Sequence, residues 1–384
     1  MLANFYYHPR MLRYDFGSNH PLRPERVART TALLEALGDF DPIDPGAGNV
    51  EDLLRVHDAD FVEGVRKLGA MTEEEWKEVE VMEWAFPFGF GSSDNPPFPG
   101  IFEAALAYVA GSAAAARSVN EGAKLAYGIG GGLHHARRRE ASGFCTFDDC
   151  AVACHILRER FDRVAYVDID VHHGDGVQWI FYDDPTVLTC SIHEDPRTLY
   201  PGTGRVTETG AGFSAVNVPV VARTTGDVWL WAFENGILPC LERFKPQAIV
   251  LQMGADTHFL DPLAHIESTA QDWLAAVTRI RDLGIPTVAL GGGGYNLTTV
   301  PRMWTAACLS LAGLEVPERI PEPFATNWQV QTFMDRYAPG PAGAGREEAE
   351  EVVRFIRENH LKRIGAWGCF ECSPPPISRT GAET

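Results

Sequence analysis

The stretch Tyr166–Gly176 constrains the fold more than any other part of the sequence. It begins inside an apolar run that predicts a buried strand over residues 163–170, and the glycines at its end predict a turn. Because side chains on a strand alternate between its faces, Asp168, Asp170 and His172 are expected to point the same way. Two carboxylates and an imidazole rarely share a buried strand end unless a cation lies between them. The stretch therefore predicts a metal site rather than a set of solvated acids.

Short apolar strands alternate with helices over most of the chain. The predicted strands cover residues 125–129, 163–170, 187–192, 248–252 and 287–290. The predicted helices cover residues 24–37, 59–68, 100–119, 148–160, 176–182, 227–243, 268–283, 299–313 and 347–360, with a long loop at 86–99. This alternation predicts an α/β fold whose central, mainly parallel sheet has helices on both faces. At 384 residues, the chain is long enough to bury one large core.

Polar clusters follow four of the predicted strands, and one of these clusters is the stretch at the end of the strand at 163–170. His134 and His135 come after a run of glycines that follows the first strand, and Asp256 follows the strand at 248–252. Tyr295 follows the glycines Gly291–Gly294, which come directly after the last strand. Since ligands of such folds bind at the carboxyl ends of the strands, we expect these residues to meet at one edge of the sheet.

Asp170, His172 and Asp256 form a plausible three-ligand metal site. Three protein ligands leave room for water and substrate, which is typical of a catalytic rather than a structural site. Zinc is the default metal, but oxygen and nitrogen ligands would also hold Fe(II) or Co(II). Taken alone, Asp256 would be better explained as a helix or turn cap.

The paired imidazoles of His134 and His135 could act as general base and general acid beside a metal-bound water. Each ring would need a carboxylate to orient it, and Asp168 and Asp175 are the candidates. The alternative is a pair of core or surface histidines.

The phenol of Tyr295 could donate a hydrogen bond to a developing oxyanion, an interaction typically worth about 3 kcal/mol. The alternative is an aromatic ring packed at the edge of the site. The glycines before Tyr295 lack the pattern of a phosphate-binding loop, so nucleotide binding is not expected.

Composition limits the partners and the compartment. The net charge of −19 disfavours nucleic acid and anionic membranes and favours cationic substrates. Eight scattered cysteines form no disulfide framework, which predicts a reducing, cytoplasmic location. We interpret Cys369 and Cys372 as ordinary thiols, and residues 104–116 as part of a core helix rather than a membrane span.

Seven motifs, in this order along the chain, resemble those of the histone deacetylase superfamily, and in particular the bacterial acetoin-utilisation deacetylases that are similar to class I enzymes. They are His20–Arg26, Gly131–Ala136, Glu140–Cys145, Tyr166–Gly176, Tyr200–Gly204, Gly254–Thr257 and Gly291–Asn296. The resemblance implies an arginase-like fold and hydrolysis of N-acetyl-lysine amides in an acetylated protein or peptide. It suggests an acetyl-CoA synthetase as a protein substrate. It implies a catalytic domain over residues 1–320, followed by an extension over 321–384 with one helix and a flexible tail.

The resemblance also implies roles for individual residues. Asp170, His172 and Asp256 would bind zinc or Fe(II), Asp168 and Asp175 would hold His134 and His135, and Tyr295 would stabilise the transition state. The implied substrate contacts are the rings of Phe144 and Tyr200, the Gly143 carbonyl, the rim residue Asp94, and Leu263 at the position of a specificity residue. One potassium site would use Asp168, Asp170, His172, Ser191 and Ile192, and a second would use the Phe181–Val187 loop. Arg26 would line an internal channel that suits acetate.

Three other functions remain open from the sequence. Acetylpolyamine deacetylases tend to carry an acidic residue where this chain has Leu263, although the acidic segment at 73–83 leaves that alternative open. An arginase-type ureohydrolase would need further aspartates in place of His134 and His135. A non-catalytic acetyl-lysine binding module would not need Tyr295 or a complete ligand set. The sequence makes no prediction of the oligomeric state.

Overall fold

One parallel sheet forms the centre of the computed structural model, which describes residues 3–38 and 40–365. In the described part of the chain the strands are β1 Asn4–Tyr6, β2 Pro42–Ile43, β3 Leu125–Gly128, β4 Val164–Asp168, β5 Val187–Glu194, β6 Ala215–Val220, β7 Ala248–Gln252 and β8 Thr287–Leu290. Their order across the sheet is β2-β1-β3-β8-β7-β4-β5-β6, and every neighbouring pair is parallel. The predicted α/β fold with a parallel sheet is confirmed.

Helices connect the strands and pack against the sheet. They are α1 Glu25–Leu37, α2 Val50–Leu53, α3 Ala59–Gly69, α4 Val79–Ala85, α5 Ile101–Asn120, α6 Asp149–Leu157, α7 Asp175–Ile180, α8 Gly226–Ala232, α9 Leu238–Phe244, α10 Ala270–Asp282, α11 Thr299–Leu311, α12 Phe324–Trp328 and α13 Arg346–Arg363. A π-helical turn at Phe233–Ile237 joins α8 to α9, so the single helix predicted over 227–243 is divided.

Small side chains bring α5 close to the sheet. A Cβ atom on Gly128 of β3 would lie 3.1 Å from the backbone nitrogen of Ser112 in α5, a tight contact that glycine avoids. Fifteen residues of α5 are buried, and seven of them are alanine. The prediction of a core helix here is confirmed, and none of the described helices is both long and apolar enough to cross a membrane.

Three strands were not predicted. β1 and β2 span only 3 and 2 residues, too short to show a pattern. β6 contains Asn217 and Pro219, which argue against a central strand, but β6 lies at the edge of the sheet, where proline is tolerated.

The strand predicted over 163–170 ends two residues early, at Asp168. The Asp168 carboxylate accepts a hydrogen bond from the Asp170 backbone nitrogen at 3.1 Å, and this local bond turns the chain out of the ladder. Asp170 and His172 therefore lie in the loop after β4. Ile169 and Val171, which alternate with these polar residues, are fully buried. The alternation of polar and apolar residues therefore continues past the end of the strand.

The segment after residue 320 packs on the rest of the chain. The predicted C-terminal helix is confirmed as α13, which contacts β6 and α8 and buries Val353 and Ile356. The division at residue 320 stays a prediction. The flexible tail and the thiols of Cys369 and Cys372 lie outside the described residues.

Candidate metal and catalytic site

Asp170, His172 and Asp256 lie together at the carboxyl edge of the sheet. One ligand atom from each residue lies within 4.8 Å of the others. The His172 Nδ1 atom is 3.1 Å from a carboxylate oxygen of each aspartate. Both aspartates are fully buried, and backbone N–H groups fix them: Val171 donates to Asp256 at 2.9 Å and Gly293 donates to Asp170 at 2.7 Å.

The donor set and its surroundings fit a divalent cation. Two oxygen ligands and one imidazole nitrogen suit zinc or Fe(II). Glycines keep the space open, because a Cβ atom on Gly254 would lie 2.1 Å from Asp170 Oδ2 and one on Gly293 would lie 2.1 Å from Asp256 Oδ2.

The charges of these three residues also favour a cation. Burial lowers the pKa of His172, but its two aspartates outweigh burial and raise that pKa to about 10. The imidazole thus holds a proton, and this proton is the positive charge that a metal would replace. Burial, followed by the charge of Asp170, raises the pKa of Asp256 to about 6.

His134 and His135 lie beside this cluster, each on its own carboxylate. The His134 Nδ1 atom is 2.8 Å from Asp168 Oδ2, and the His135 Nδ1 atom is 2.7 Å from Asp175 Oδ1. Their Nε2 atoms face each other at 3.0 Å. The structure therefore brings together all four residues of the predicted pair and its orienting acids.

The two rings differ in proton affinity. Burial lowers the pKa of His134, but Asp168 and Asp170 outweigh it and raise the pKa to about 9. Burial and the neighbouring charge of His134 lower the pKa of His135 to about 4. The pair therefore holds one proton near neutral pH and titrates as a unit.

Tyr295 completes the arrangement from the glycine loop after β8. Its ring centre is 6.3 Å from that of His172 and 5.7 Å from that of Phe144. Burial, with Asp256 and Asp170, raises the pKa of the phenol well above 10, so the hydroxyl keeps its proton and can donate it in a hydrogen bond. The Arg26 guanidinium donates to the carbonyls of Gly292 (2.7 Å) and Gly294 (3.0 Å), which fixes this loop from behind.

The predicted substrate residues line one cavity of about 220 Å³ together with three of the residues above. The lining residues are Asp94, His135, Gly143, Phe144, His172, Leu199, Tyr200, Leu263 and Tyr295. Phe144 adopts a positive φ of 69°, unusual outside glycine, and its carbonyl accepts a 2.8 Å hydrogen bond from the Tyr14 hydroxyl.

The predicted potassium residues share Asp170 and His172 with the metal cluster and add residues of β4 and β5. Asp168 of β4 pairs in register with Ser191 of β5, and Ile192 follows in the same strand. In the predicted Phe181–Val187 segment, residues 181–186 form the turn between α7 and β5, and Val187 begins β5. Potassium binding and the acetate channel at Arg26 stay predictions.

Two buried residues that support the site were missed by sequence reasoning. The Gln252 amide donates to Asp170 Oδ2 at 2.8 Å and to the Gly132 carbonyl at 3.1 Å, so it links the metal cluster to the histidine loop. Asp149 accepts hydrogen bonds from the backbone nitrogens of Gly132 and Leu133, both at 2.8 Å. Two features of the sequence could have indicated them: Gln252 is a polar residue at the end of the apolar strand β7, and Asp149 belongs to an acidic pair at the start of the buried helix α6.

Comparison with known proteins gives one consistent result. The family model described as "Histone deacetylase domain" matches residues 20–311. The chain is 38% identical over 343 residues to the acetoin utilization protein AcuC of Bacillus subtilis, covering 85% of this chain and 86% of that protein. It is 34% identical over 345 residues to the protein of the same name from Staphylococcus xylosus, covering 85% and 87%. It is 33% identical over 325 residues to histone deacetylase 1 of Homo sapiens, covering 83% of this chain and 66% of that protein.

Proposed function

Because this chain belongs to the histone deacetylase family, a family of hydrolases, we propose that it hydrolyses the amide bond of N-acetyl-lysine in proteins. The observation that supports this most directly is the convergence of three elements on one cavity. These are the cluster of Asp170, His172 and Asp256, the two carboxylate-bound histidines, and the phenol of Tyr295.

Asp170, His172 and Asp256 would hold the metal, for which we propose zinc or Fe(II). When bound, the metal would supply Lewis-acid polarisation of the acetyl carbonyl and a lower pKa for the attacking water. The neutral ring of His135 takes a proton from that water and later delivers one to the lysine amine as it leaves. The protonated ring of His134, held by Asp168, stabilises the negative charge that develops.

The remaining residues would position the substrate. The Tyr295 hydroxyl donates a hydrogen bond to the acetyl oxygen as it becomes an oxyanion. The rings of Phe144 and Tyr200 flank the apolar stem of the acetyl-lysine, the Gly143 carbonyl accepts its amide N–H, and Asp94 contacts the substrate backbone. We further propose that a potassium ion at Asp168, Asp170, His172, Ser191 and Ile192 stabilises the loop after β4.

The apolar side chain of Leu263 in the cavity wall supports a lysine substrate over a polyamine. The acetoin utilization named for two relatives is consistent with an acetyl-CoA synthetase as the protein substrate. A cytoplasmic location, and the expectation that nucleic acid and membranes are not partners, stay predictions.

The test measures acetate release from an acetyl-lysine peptide and from an acetylated polyamine, with the protein loaded with Zn²⁺ or Fe(II) and after chelation. We expect metal-dependent hydrolysis of the peptide that exceeds hydrolysis of the polyamine. Faster acetate release from the polyamine than from the peptide would contradict the proposal that acetyl-lysine in proteins is the substrate. Metal-loaded protein that bound the peptide and released no acetate from either compound would identify a binding module.

A further inference from the structure

A groove of about 510 Å³ lies beside the catalytic cavity, and the catalytic proposal gives it no role. Three segments form it: residues 15–17 near the start of the chain, the acidic segment at 73–82, which runs into α4, and residues 91–98 of the loop after α4. Its lining residues are Asp15, Phe16, Gly17, Glu73, Trp76, Lys77, Met82, Gly91, Ser92, Pro96, Pro97 and Phe98.

The groove combines an apolar floor with an acidic rim. Phe16, Trp76 and Phe98 are partly buried and offer their rings, whereas the carboxylates of Asp15 and Glu73 are exposed. In residues 3–38 and 40–365, neither carboxylate has a cationic side chain within ion-pair distance. The segment at 72–83 carries six glutamates, all exposed, and Lys77 is the one cation of the lining.

The groove and the catalytic cavity are close neighbours. Asp94 lines the cavity, whereas Gly91 and Ser92, a few residues earlier in the same loop, line the groove. The His20 ring lies between the two spaces, with its centre 4.5 Å from the ring of Phe144 in the cavity wall and 4.5 Å from the ring of Phe16 in the groove. The His20 ring therefore packs on the wall of the cavity on one side and on the lining of the groove on the other.

We propose that the groove binds a lysine or arginine side chain located two or three residues from the acetyl-lysine of the substrate. This inference rests on the proposed function. An extended peptide advances about 3.3 Å per residue, so two or three residues cover the two 4.5 Å ring-to-ring contacts that link Phe144 to Phe16 through His20. The aliphatic stem packs on the aromatic floor, and the cationic head meets the Asp15 and Glu73 carboxylates at the solvent edge.

The first experiment compares two acetyl-lysine peptides that differ at one flanking position, scanned on both sides of the acetyl-lysine. One peptide carries arginine and the other citrulline, which has nearly the same shape without the charge. At one position we expect kcat/KM to be about fivefold higher for arginine, with the difference in KM. Since the carboxylates are exposed, the preference should shrink as salt is raised.

Three variants test the residues of the groove. We expect Glu73→Gln and Asp15→Asn each to remove about half of the preference for arginine, and Lys77→Gln to increase it. Asn at position 15 keeps an acceptor for the 2.8 Å hydrogen bond from the Gly17 nitrogen, so the turn is preserved. Glu347→Gln, at an exposed acid of α13, is the matched control and should leave the preference unchanged.

The outcomes separate the groove from the catalytic proposal. All variants should hydrolyse N-acetyl-lysine amide, which has no flanking residue, as the wild type does. Equal kcat/KM for the arginine and citrulline peptides at every position, or equal loss for both in Glu73→Gln, would overturn the groove assignment and leave the catalytic proposal intact. If the wild type hydrolysed neither peptide, the catalytic proposal would fail. Calorimetric affinities for the same peptides would then decide the groove, and equal affinities would exclude it.

Discussion

At the scale of single residues, backbone contacts decide where the Tyr295 phenol lies. The Asp261 carboxylate accepts a hydrogen bond from the Tyr295 nitrogen at 2.7 Å and another from the Leu263 nitrogen at 2.9 Å. One buried acid therefore positions both Tyr295, the proposed oxyanion donor, and Leu263, the proposed specificity residue. Arg26 holds the same loop through the carbonyls of Gly292 and Gly294.

Replacing Tyr295 with phenylalanine should lower kcat about 100-fold. The variant keeps the ring that packs on Phe144 but removes the hydroxyl that would donate to the oxyanion. Metal content, measured by elemental analysis, and KM should change little, because the phenol is not among the proposed ligands. Tyr337→Phe, at an exposed tyrosine, is the control. Full turnover in Tyr295→Phe would show that the oxyanion role is wrong.

At the scale of elements, two buried side chains fix the loop that carries the histidine pair. Asp149 at the start of α6 holds the Gly132 and Leu133 nitrogens, and the Ser112 hydroxyl of α5 donates to the same carboxylate at 2.5 Å. His57 holds the other end, with its Nδ1 atom 2.9 Å from the Arg137 carbonyl and its Nε2 atom accepting from the Asp148 nitrogen at 2.9 Å. Helices α5 and α6 thus support the histidine loop.

The neutral imidazole of His57 should make stability depend on pH. Burial lowers the pKa of His57 to about 4, so between its ordinary pKa of about 6.5 and 4 the unfolded chain binds a proton that the folded chain does not. Its contribution is present above pH 6.5 and is lost as pH falls through 4, to a total of about 3 kcal/mol.

Urea unfolding of the wild type and His57→Gln at pH 7.0, 5.5 and 4.5 measures this term. The difference in the free energy of unfolding should shrink on acidification, because glutamine does not titrate. The other buried histidines are common to both proteins and cancel in the difference. A difference that stayed constant across the three pH values would contradict the neutral state of His57.

At the scale of the whole molecule, the sheet order brings the site residues together. β4, β7 and β8 are neighbours in the sheet, although the end of β4 and the start of β7 are 80 positions apart along the chain. At the far edge, α13 contacts β6 and buries Ile356 completely. The C-terminal helix therefore contributes to the core at a distance from the chemistry.

Truncating Ile356 to alanine should cost about 2–4 kcal/mol of unfolding free energy, because it leaves a cavity beside β6. Thermal or urea unfolding measures the loss, and kcat at 25 °C should stay unchanged. Glu358→Ala, at an exposed residue of the same helix, should change stability by about 0.5 kcal/mol or less. If Ile356→Ala left the free energy of unfolding unchanged, α13 would not be part of the cooperatively folding core.

Prediction from the sequence succeeded where the pattern is local. The strands from β3 to β5 and β7 to β8, the helix α13 and the pairing of His134 and His135 with acids all follow from motifs or periodicity. β1 and β2 are too short to show a period, and the proline of β6 hid an edge strand. The roles of the site residues are proposals, and the Tyr295→Phe variant tests one of them.

The sequence by itself determined the kind of sheet and which polar residues gather at its carboxyl edge, because parallel strands deliver the residues that follow them to one side. Only the tertiary structure decided which side chains hold those residues in place, namely Gln252, Asp149 and His57. It also decided that the acidic groove lies next to them. The physical reason is that a hydrogen bond such as that of His57 to Asp148 joins residues 91 positions apart, and such a distance leaves no periodic trace in the chain.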